Sequence, residues 1–247
     1  MKKNNVSIFT FVVLLLSLTS GCTTLKSTDD VSKQISADPL EGFNRTMYGF
    51  NKTADKVILK PVSQAYNYVL PKPAKKSVGN FFDNLAEPLN IVNNSLQGKG
   101  NRALNSTYRF VINSTVGVLG LFDVASYYKI KPAKEDFGQT LAAWGVKPGP
   151  YVMLPLLGPT NFRDGIARVG ETAVYYPNKI ITDSDGAALA LTALDVINTR
   201  ASLLSLDSVL ESQPDQYNFI KSTYEANRIN SIYDGKPPQK SEDDLDF

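Results

Sequence analysis

The 247-residue sequence predicts an all-α domain, and three observations support this fold class. Apolar residues recur at spacings of three and four in several long segments, which is typical of amphipathic helices. Proline and glycine separate these segments and predict where the helices end. Runs in which apolar and polar residues alternate, as half-buried strands require, are scarce. No repeat at a solenoid period is present, so we expect one bundle of helices.

The N-terminus predicts a lipoprotein signal peptide over residues 1–21. Lys2 and Lys3 precede an apolar run of about 13 residues, which is too short to span a bilayer as a helix. The run ends in "LTSGC", which resembles the site cut by the bacterial lipoprotein signal peptidase, although its leucine stands one place further from the cysteine than usual. Cys22, the only cysteine, would then be the acylated first mature residue; a free thiol after an ordinary signal peptide is the alternative.

Residues 22–37 are predicted to form an acylated tether, because they are polar and show no helical period. One acyl chain binds a membrane only marginally, whereas the three chains of a bacterial lipoprotein give a stable anchor. The residue after the cysteine is Thr23, and an aspartate there would resemble a signal for retention in the inner membrane. We therefore expect a lipid-anchored protein of the outer membrane of a Gram-negative bacterium, with its body on the periplasmic face.

The mature chain is neutral, which argues against a polyanionic partner. Loss of Lys2 and Lys3 with the signal leaves 24 basic residues (26 minus 2) against 24 acidic ones. Proteins that bind nucleic acids carry a clustered basic face, and the sequence gives no sign of one. We expect no nucleic-acid partner.

The first organised segment, "DPLEGFNRTMYGFNKTADKVI", predicts an amphipathic helix. Asp38 and Glu41 suit a capping box around Pro39. Lys60 and Pro61 should end this helix. Its apolar stripe, which fits either core packing or membrane contact, consists of Leu40, Phe43, Met47, Phe50, Ala54 and Val57.

Further helices are predicted along the rest of the domain. Three of them, between residues 74 and 116, are separated by a break at Glu87 and Pro88 and by a second break at residues 98–100. Later helices are predicted at residues 163–176, 185–210 and 215–233. The polar residues 236–247 are expected to form a disordered tail.

The residue types of common catalytic sites are missing. The sequence contains no histidine, and its one cysteine lies at the acylation site, which excludes Ser-His-Asp and Cys-His arrangements and the common zinc sites. Neighbouring carboxylates, such as Glu135 with Asp136, could act as acid and base but are usually solvated. Phosphate-binding glycine motifs and an EF-hand loop are also missing. We expect no enzyme, no metal site and no cofactor.

The segment from residue 137 to residue 162 is apolar but interrupted. It holds one charged residue, Lys147, together with four glycines and four prolines, so it suits neither a transmembrane helix nor a polar surface loop. Non-helical apolar chain normally lies against protein or lines a cavity, because its backbone groups need partners.

Four motifs in this order resemble the MlaA family, also called VacJ. They are "DPLEGFNRTMYGFN" (38–51), the "NFFDNL-EP-N-N-LQGK" series (80–99), "RFVINSTVGVLGLFDVA" (109–125) and "EDFGQTLAAWGVKPGPYVMLPLLGPTNFRD" (135–164). The resemblance covers about residues 38–235. It implies a ring-like bundle of amphipathic helices in the periplasmic leaflet, with a glycine- and proline-rich apolar hairpin at a central channel. The channel is expected to remove mislocalised phospholipids from the outer leaflet and to deliver them to the periplasmic carrier MlaC, and family members associate with trimeric porins.

The resemblance also implies roles for individual residues. Gly138 and Gly145 are expected hinges of the hairpin, with ordinary turn glycines as the alternative, and Phe43 and Asn44 are expected to influence channel gating, although core packing explains Phe43 equally well. The residues expected to line or gate the channel, some of which must pack on the ring instead, are Phe137, Leu141, Trp144, Tyr151, Met153, Leu154 and Leu156.

Two other functional classes fit the sequence less well. A structural, porin-associated lipoprotein without transport activity would also select apolar helix faces. A phospholipase is disfavoured, because no conventional base for a serine nucleophile is present.

Overall fold

The computed structural model describes residues 38–238, so the predicted signal, Cys22, the tether and the tail from residue 239 lie outside the described residues. The helices are α1 (Glu41–Ala54), α2 (Lys60–Val69), α3 (Lys72–Leu96), α4 (Gly100–Thr115), α5 (Val124–Tyr127), α6 (Phe137–Ala143), α7 (Phe162–Val174), α8 (Pro177–Ile181), α9 (Asp185–Leu203), α10 (Asp207–Glu211) and α11 (Gln216–Ile232). A π-helical turn (Asp55–Leu59) joins α1 to α2, and a 3-10 turn (Leu204–Leu206) joins α9 to α10.

The predicted all-α class is confirmed, with one small addition. Strands β1 (Tyr151–Leu154) and β2 (Gly158–Asn161) form an antiparallel hairpin inside the interrupted apolar segment. Tyr151 pairs with Asn161, and Leu154 pairs with Gly158. Strands of four residues are too short to give a clear alternating pattern, which explains why the sequence did not predict them.

The predicted end of the first helix at Lys60 and Pro61 is wrong. The chain stays helical from α1 through the π-turn into α2, and the Lys60 N–H donates to the carbonyl of Asp55, five residues back. The wider turn changes the hydrogen-bond register directly before Pro61, which has no N–H of its own. Arg200 of α9 donates to both carboxylate oxygens of Asp55, at 2.7 and 2.9 Å, and holds the π-turn against α9.

The predicted break at Glu87 and Pro88 is also wrong, because α3 continues through Pro88. Contacts with α4 hold the helix on both sides of the proline. Arg109 Nε donates to Glu87 at 3.0 Å, and beyond the proline Arg102 Nε donates to Asn94 at 3.1 Å. The second predicted break is confirmed, since α3 and α4 are separated by residues 97–99.

The predicted capping box at the start of α1 does not form. Leu40 occupies the N-cap position of α1 and makes no side-chain cap. Asp38 instead accepts hydrogen bonds from the amide of Asn44, at 2.9 Å, and from the hydroxyl of Tyr217 in α11. The carboxylate therefore joins the two ends of the domain rather than capping a helix.

The interior of the bundle is mostly polar. Within residues 38–238 the large buried apolar or aromatic side chains are Tyr151, Met153 and Tyr217, and the other buried apolar residues are alanines. The more numerous buried polar residues include Asn44, Asn84, Glu87, Asn90, Asn93, Asn94, Arg109, Asn113, Glu135, Gln139, Thr140 and Arg163.

The exterior, in contrast, carries large apolar side chains on most helices. The predicted stripe of α1 is an example, because Phe43, Phe50 and Val57 all lie exposed while Met47 packs inward. Soluble monomers rarely expose contiguous apolar surface on this scale. The distribution of side chains therefore suits a protein with apolar surroundings.

The helix α9 is the longest apolar part of this exterior. The helical stretch Asp185–Glu211 is long and apolar enough, by length and composition, to cross a membrane. Only 11% of its most apolar part is buried inside the protein. Leu189, Val196 and Leu203 repeat at intervals of seven residues and all lie exposed. On its inner side α9 receives polar contacts from α2, including the bond from the Tyr66 hydroxyl to Asn198 at 2.9 Å.

Candidate functional site

A polar seam fills the space between α3 and α4. Its members recur at spacings of three and four, which places them on the facing sides of the two antiparallel helices. The seam consists of Asn84, Glu87, Asn90, Asn93 and Asn94 from α3 with Ser106, Arg109 and Asn113 from α4. Polar residues at these positions require a dense network of hydrogen bonds, since each unpaired buried group is costly.

Arg109 is the centre of that network. Its Nε donates to Glu87 at 3.0 Å, and its Nη2 donates to Asp123 at 3.0 Å. Its Nη1 donates to Ser126 Oγ at 3.1 Å and to the carbonyl of Ile130 at 2.8 Å. The guanidinium thereby fixes the loop after α4 on the seam and pairs with two carboxylates.

Asn90 and Asn94 of the seam bind the backbone that directly precedes the interrupted apolar segment. Asn94 donates to the carbonyl of Ala133 at 2.8 Å, and Asn90 Oδ1 accepts from the N–H of Glu135 at 3.0 Å. The carboxylate of Glu135 is buried and accepts from Lys99 and Arg102, both at 3.0 Å. Glu135 therefore holds ion pairs that position the chain, and its burial shows that the expected solvation of this carboxylate is wrong.

Helix α6 begins the segment and has regular caps at both ends. Asp136 caps its N-terminus by accepting from the N–H of Gln139 at 2.8 Å. Gly145 follows its C-terminus with a φ of 86°, a left-handed conformation that favours glycine. The bonds from Gly145 N–H to Ala142 and from Val146 N–H to Leu141, both 2.9 Å, form a Schellman motif.

Two asparagines of α1 hold the strand β1 in place. Asn44 donates to the carbonyl of Tyr151 at 3.1 Å and accepts from the N–H of Met153 at 2.8 Å. Asn51 donates to the carbonyl of Leu154 at 2.9 Å and accepts from the N–H of Leu156 at 2.7 Å. The two amides thus replace a neighbouring strand on the free edge of β1. We call Asn44 and Asn51 the amide clamp.

The amide clamp also supports the tip of the hairpin. Leu156 has a φ of 62°, which is unusual and strained for a residue other than glycine. Its N–H is the one that Asn51 accepts. A side chain on α1 therefore stabilises a strained backbone conformation at the turn between the strands.

A partly buried charge cluster holds both ends of the segment to α11. Arg228 donates to the two oxygens of Asp136, at 2.6 and 2.7 Å, and to Asp164 at 2.9 Å. The hydroxyl of Tyr224 donates to Asp164 at 2.8 Å, and Arg163 Nε donates to it at 2.9 Å. We call Asp136, Arg163, Asp164, Tyr224 and Arg228 the arginine cluster.

The electrostatics of the arginine cluster favour the ionised form of Asp164. Burial alone would raise the pKa of Asp164, but hydrogen bonds and positive charge from Arg163 and Arg228 outweigh burial and lower the pKa below its ordinary value. Nearby Glu171 of α7 behaves differently. Its burial raises its pKa, and hydrogen bonds from the Phe137 N–H at 2.5 Å and from Asn93 at 3.1 Å offset the rise only in part.

Gly138 lies against this cluster, and the structure supplies a packing reason for it. A Cβ atom at position 138 would come within 2.4 Å of Arg228 and 2.5 Å of Asp164. Only glycine lets the first turn of α6 approach the charged pair so closely. A hinge at Gly138 stays a prediction.

The structure separates the predicted hairpin residues into three groups. Trp144 and Leu156 are exposed, by 52% and 69%, while Phe137, Leu141 and Leu154 are half-buried. Tyr151 and Met153 are buried in a cluster with Tyr217 that Met47, Tyr48, Ile220 and Tyr224 complete. These two residues therefore contact protein in this structure.

The predicted gating residues on α1 also differ from each other. Phe43 is half exposed, so the core-packing alternative for Phe43 is wrong. Asn44 is fully buried and forms half of the amide clamp. Sequence reasoning missed Asn51, although its spacing of seven residues from Asn44 places both on one face of α1 and was a usable signal.

Sequence reasoning also missed Tyr224 and Arg228. Both lie on α11, where Tyr224 is 60 residues and Arg228 is 64 residues after Asp164. No local pattern connects them with the interrupted segment. Only the packing of α11 against α6 and β2 brings these residues together.

The fold combines a polar interior, an apolar exterior and an apolar hairpin held by amides and charges. These features define a class, that of membrane-associated helical proteins. A family model described as MlaA lipoprotein matches residues 36–231. The chain therefore belongs to the MlaA lipoprotein family, as its motifs predicted.

Several relatives support this assignment. The intermembrane phospholipid transport system lipoprotein MlaA of Escherichia coli is 35% identical over 212 residues, which is 84% of this chain and 82% of the relative. Its Haemophilus influenzae counterpart is 31% identical over 241 residues, which is 96% of this chain and 94% of the relative. An uncharacterized protein of Rickettsia typhi is 37% identical over 196 residues, which is 79% of this chain and 78% of that protein.

A solved structure has the same fold. It comes from work on the structural basis for maintenance of bacterial outer membrane lipid asymmetry, and it matches with a TM-score of 0.71 at 35% identity. The match covers 81% of this chain and all of the solved chain, at 100%. The helical architecture described above is therefore that of the family.

Proposed function

We propose that this protein is an outer-membrane lipoprotein that removes mislocalised phospholipids from the outer leaflet and so maintains the lipid asymmetry of that membrane. The observation that carries the proposal is the polar interior within an apolar exterior, found in a chain of the MlaA family. Relatives in this family are named as lipoproteins of an intermembrane phospholipid transport system. A phospholipid needs both environments, since its headgroup is polar and its acyl chains are apolar.

In this proposal the body of the protein is embedded in the periplasmic leaflet. Acyl chains on Cys22 anchor it, and the exposed apolar residues of α1 and α9 contact the lipid tails. Burying apolar surface in an apolar solvent is favourable by about 25 cal/mol per Å² of area removed from water. The polar seam then stays in the interior, where most of its groups are hydrogen-bonded to other protein groups, although Asn84 Oδ1 and Ser106 Oγ have no partner among residues 38–238.

The apolar hairpin is proposed to line or gate a central amphipathic channel. Trp144 and Leu156 are exposed enough to contact acyl chains directly, and the half-buried Phe137, Leu141 and Leu154 are close beside them. The buried Tyr151 and Met153 would hold the hairpin against α11 in the conformation described here. Gly138 and Gly145 are the proposed hinges, and Phe43 and Asn44 the proposed gating residues.

Two protein partners belong to the same proposal. The periplasmic carrier MlaC would accept phospholipid from the channel, and a trimeric porin would hold the lipoprotein in the outer membrane. Both follow from membership of the family rather than from a contact in this chain. No bond in the lipid is broken in this scheme, so neither a catalytic residue nor a cofactor is required.

A transfer assay tests the proposal. Full-length acylated protein is placed in vesicles with labelled phospholipid, soluble MlaC is added, and mass spectrometry identifies the lipid that MlaC carries. We expect intact phospholipid with the wild type, a strong loss with Leu154→Asp, and no loss with Ser222→Asp, which adds the same charge on the exposed polar side of α11.

Each other outcome has a distinct meaning. If neither the wild type nor Leu154→Asp transfers lipid although both insert and bind porin normally, the transport proposal is wrong and the structural, porin-associated alternative is favoured. If MlaC carries lysophospholipid, the protein is a phospholipase and the absence of bond cleavage is disproved.

A further inference from the structure

A surface groove with no hairpin residue in its lining lies at the N-terminal end of α3. The groove has a volume of ≈420 Å³ and runs between α3 and the chain that follows α4. This volume is within the range of about 300–1,000 Å³ that ligand sites usually occupy. The residues that line it are Pro73, Lys76, Ser77, Asn80, Leu121, Phe122, Asp123, Val124 and Tyr127. We call it the basic groove.

The wall of the basic groove that faces α3 is apolar. Leu121 and Phe122 are exposed beside it, and the backbone there is fixed, because Asn80 donates to the carbonyl of Leu121 at 3.2 Å. Gly120 has a φ of 90°, and a Cβ atom at this position would come within 2.5 Å of Asn84. The apolar wall is therefore a built part of the fold that is anchored to α3.

Lys76 lines the groove, and two further lysines are near its lining residues in the sequence. Lys72 lies one turn earlier on α3, and Lys129 follows Tyr127 by two residues. Among residues 38–238, no carboxylate lies within ion-pair distance of these three lysines. Asp123 also lines the groove, where it pairs at 3.0 Å with Arg109, an arginine that it shares with Glu87.

The basic residues beyond the C-terminal end of α3 differ from the lysines at the groove, because they have carboxylate partners. There Lys99 and Arg102 each pair with both Glu135 and Asp234, at distances between 2.8 and 3.1 Å. The cations at that end are thus compensated within the protein. The cations at the basic groove still lack an anionic partner.

Aromatic side chains at the groove are those expected where lipid meets water. Tyr127 is 83% exposed, and its ring meets that of Tyr128 edge to face at 5.5 Å. Exposed tyrosines and lysines mark membrane interfaces, because their apolar parts lie among acyl chains while their polar ends reach the headgroups. The basic groove therefore combines an apolar wall, an interfacial rim and uncompensated positive charge.

We propose that the basic groove binds one anionic phospholipid, with an acyl chain along Leu121, Phe122 and Val124 and its phosphate beside Lys76. This proposal rests on the proposed function only in that the exterior is taken to lie in lipid. The bound lipid is a resident at the periphery of the protein, separate from the hairpin. It would favour phosphatidylglycerol over phosphatidylethanolamine, because the latter carries its own ammonium group.

Lipid binding to the full-length acylated protein tests this proposal. The protein in neutral detergent is titrated with phosphatidylglycerol or phosphatidylethanolamine, and native mass spectrometry counts the bound lipids. We expect one tighter site for phosphatidylglycerol in the wild type. Lys76→Gln should weaken it about fivefold, since one lysine near a membrane surface contributes about that much to binding an anionic lipid. Lys56→Gln, which removes an exposed lysine from the π-turn, is the matched control and should change nothing.

A second variant tests the apolar wall. Phe122→Ser should weaken the binding of both lipids. The side chain of Phe122 is exposed, so we expect the variant to stay folded. Glycerol phosphate, which has the anion but no acyl chain, should compete poorly.

The proposal is overturned by any of three results: no difference between the two lipids in the wild type, equal losses in Lys76→Gln and Lys56→Gln, or glycerol phosphate binding as tightly as the lipid. Because the readout uses neither carrier nor transfer, this experiment and the transfer assay fail independently.

Discussion

The interrupted segment from Asp136 to Asp164 and the helix α9 have similarly apolar sequences but different places in the fold. α9 exposes a row of leucine and valine side chains, and little of the Asp185–Glu211 stretch is buried. The interrupted segment instead has Tyr151 and Met153 in the core, with polar groups from α1 and α11 bonded to its backbone and ends. Apolar composition alone therefore does not tell which surface meets lipid.

The difference arises from backbone hydrogen bonding. A helix satisfies its own N–H and C=O groups, so α9 can face an apolar solvent without help. The hairpin leaves one edge of β1 unpaired, and it needs the amide clamp before it can lie in apolar surroundings. The polar partners thus determine how the hairpin is held, and four substitutions test this comparison.

The largest effect is expected from the arginine cluster. Arg228→Met removes the cation that Asp136 and Asp164 share and leaves Asp164 with Arg163 and Tyr224 only. It should lower the free energy of unfolding by about 3 kcal/mol, because removing one partner of a largely buried ion pair is costly. Chemical unfolding in detergent measures this loss in the free energy of unfolding. Arg168→Met, at an exposed position on α7, is the control, and a similar loss in both variants would show that the cluster has no special role.

A charge on α9 should act on the membrane rather than on the fold. Leu189 is 67% exposed, so Leu189→Asp should leave the free energy of unfolding in detergent nearly unchanged. In vesicles it should weaken insertion by about 3 kcal/mol, the cost of an aspartate at hydrocarbon depth. Retention in vesicles after an alkaline wash is the measurement, with Ser222→Asp as control. Normal retention would mean that α9 does not face lipid.

The amide clamp should give an intermediate effect on the fold. Asn44→Ala leaves the buried N–H of Met153 without a partner and should cost about 2 kcal/mol. Hydrogen exchange at Met153 should become faster, whereas exchange in α9 should stay slow. Asn101→Ala, at an exposed position in α4, should change neither quantity. Unchanged exchange at Met153 would show that the clamp is not needed to hold β1.

The smallest effect concerns pH. The pKa of Glu171 is raised in the folded protein, because burial penalises its charged form and the hydrogen bonds it accepts offset this only in part. A group whose pKa is higher in the folded than in the unfolded protein stabilises the fold fully when the pH is below the unfolded-state pKa. That contribution is lost as the pH rises through the folded-state pKa. Relative to Glu171→Gln, the wild type should therefore lose stability as the pH rises from about 4 toward neutrality. Parallel stability curves would contradict the raised pKa.

The sequence predicted the helices and the family but not the polar contacts that organise the site. Periodicity found most helices because each stripe is local. It failed at Pro61 and Pro88, where contacts such as Arg200 with Asp55 and Arg109 with Glu87 keep the chain helical. It also failed for Arg228, because the partners of Arg228 lie 64 and 92 residues away. Long-range polar pairs leave no periodic signal in a single sequence.

The most direct test of the lipid-facing exterior uses the only tryptophan, Trp144, which lies exposed on the interrupted segment. Wild-type protein and the double variant Trp144→Phe, Leu189→Trp are placed in vesicles whose phospholipids carry bromine at known depths on the acyl chains. We expect bromine in the acyl region to quench both tryptophans, because both positions face lipid. Fluorescence that is quenched by a water-soluble agent and not by brominated lipid at both positions would contradict the account.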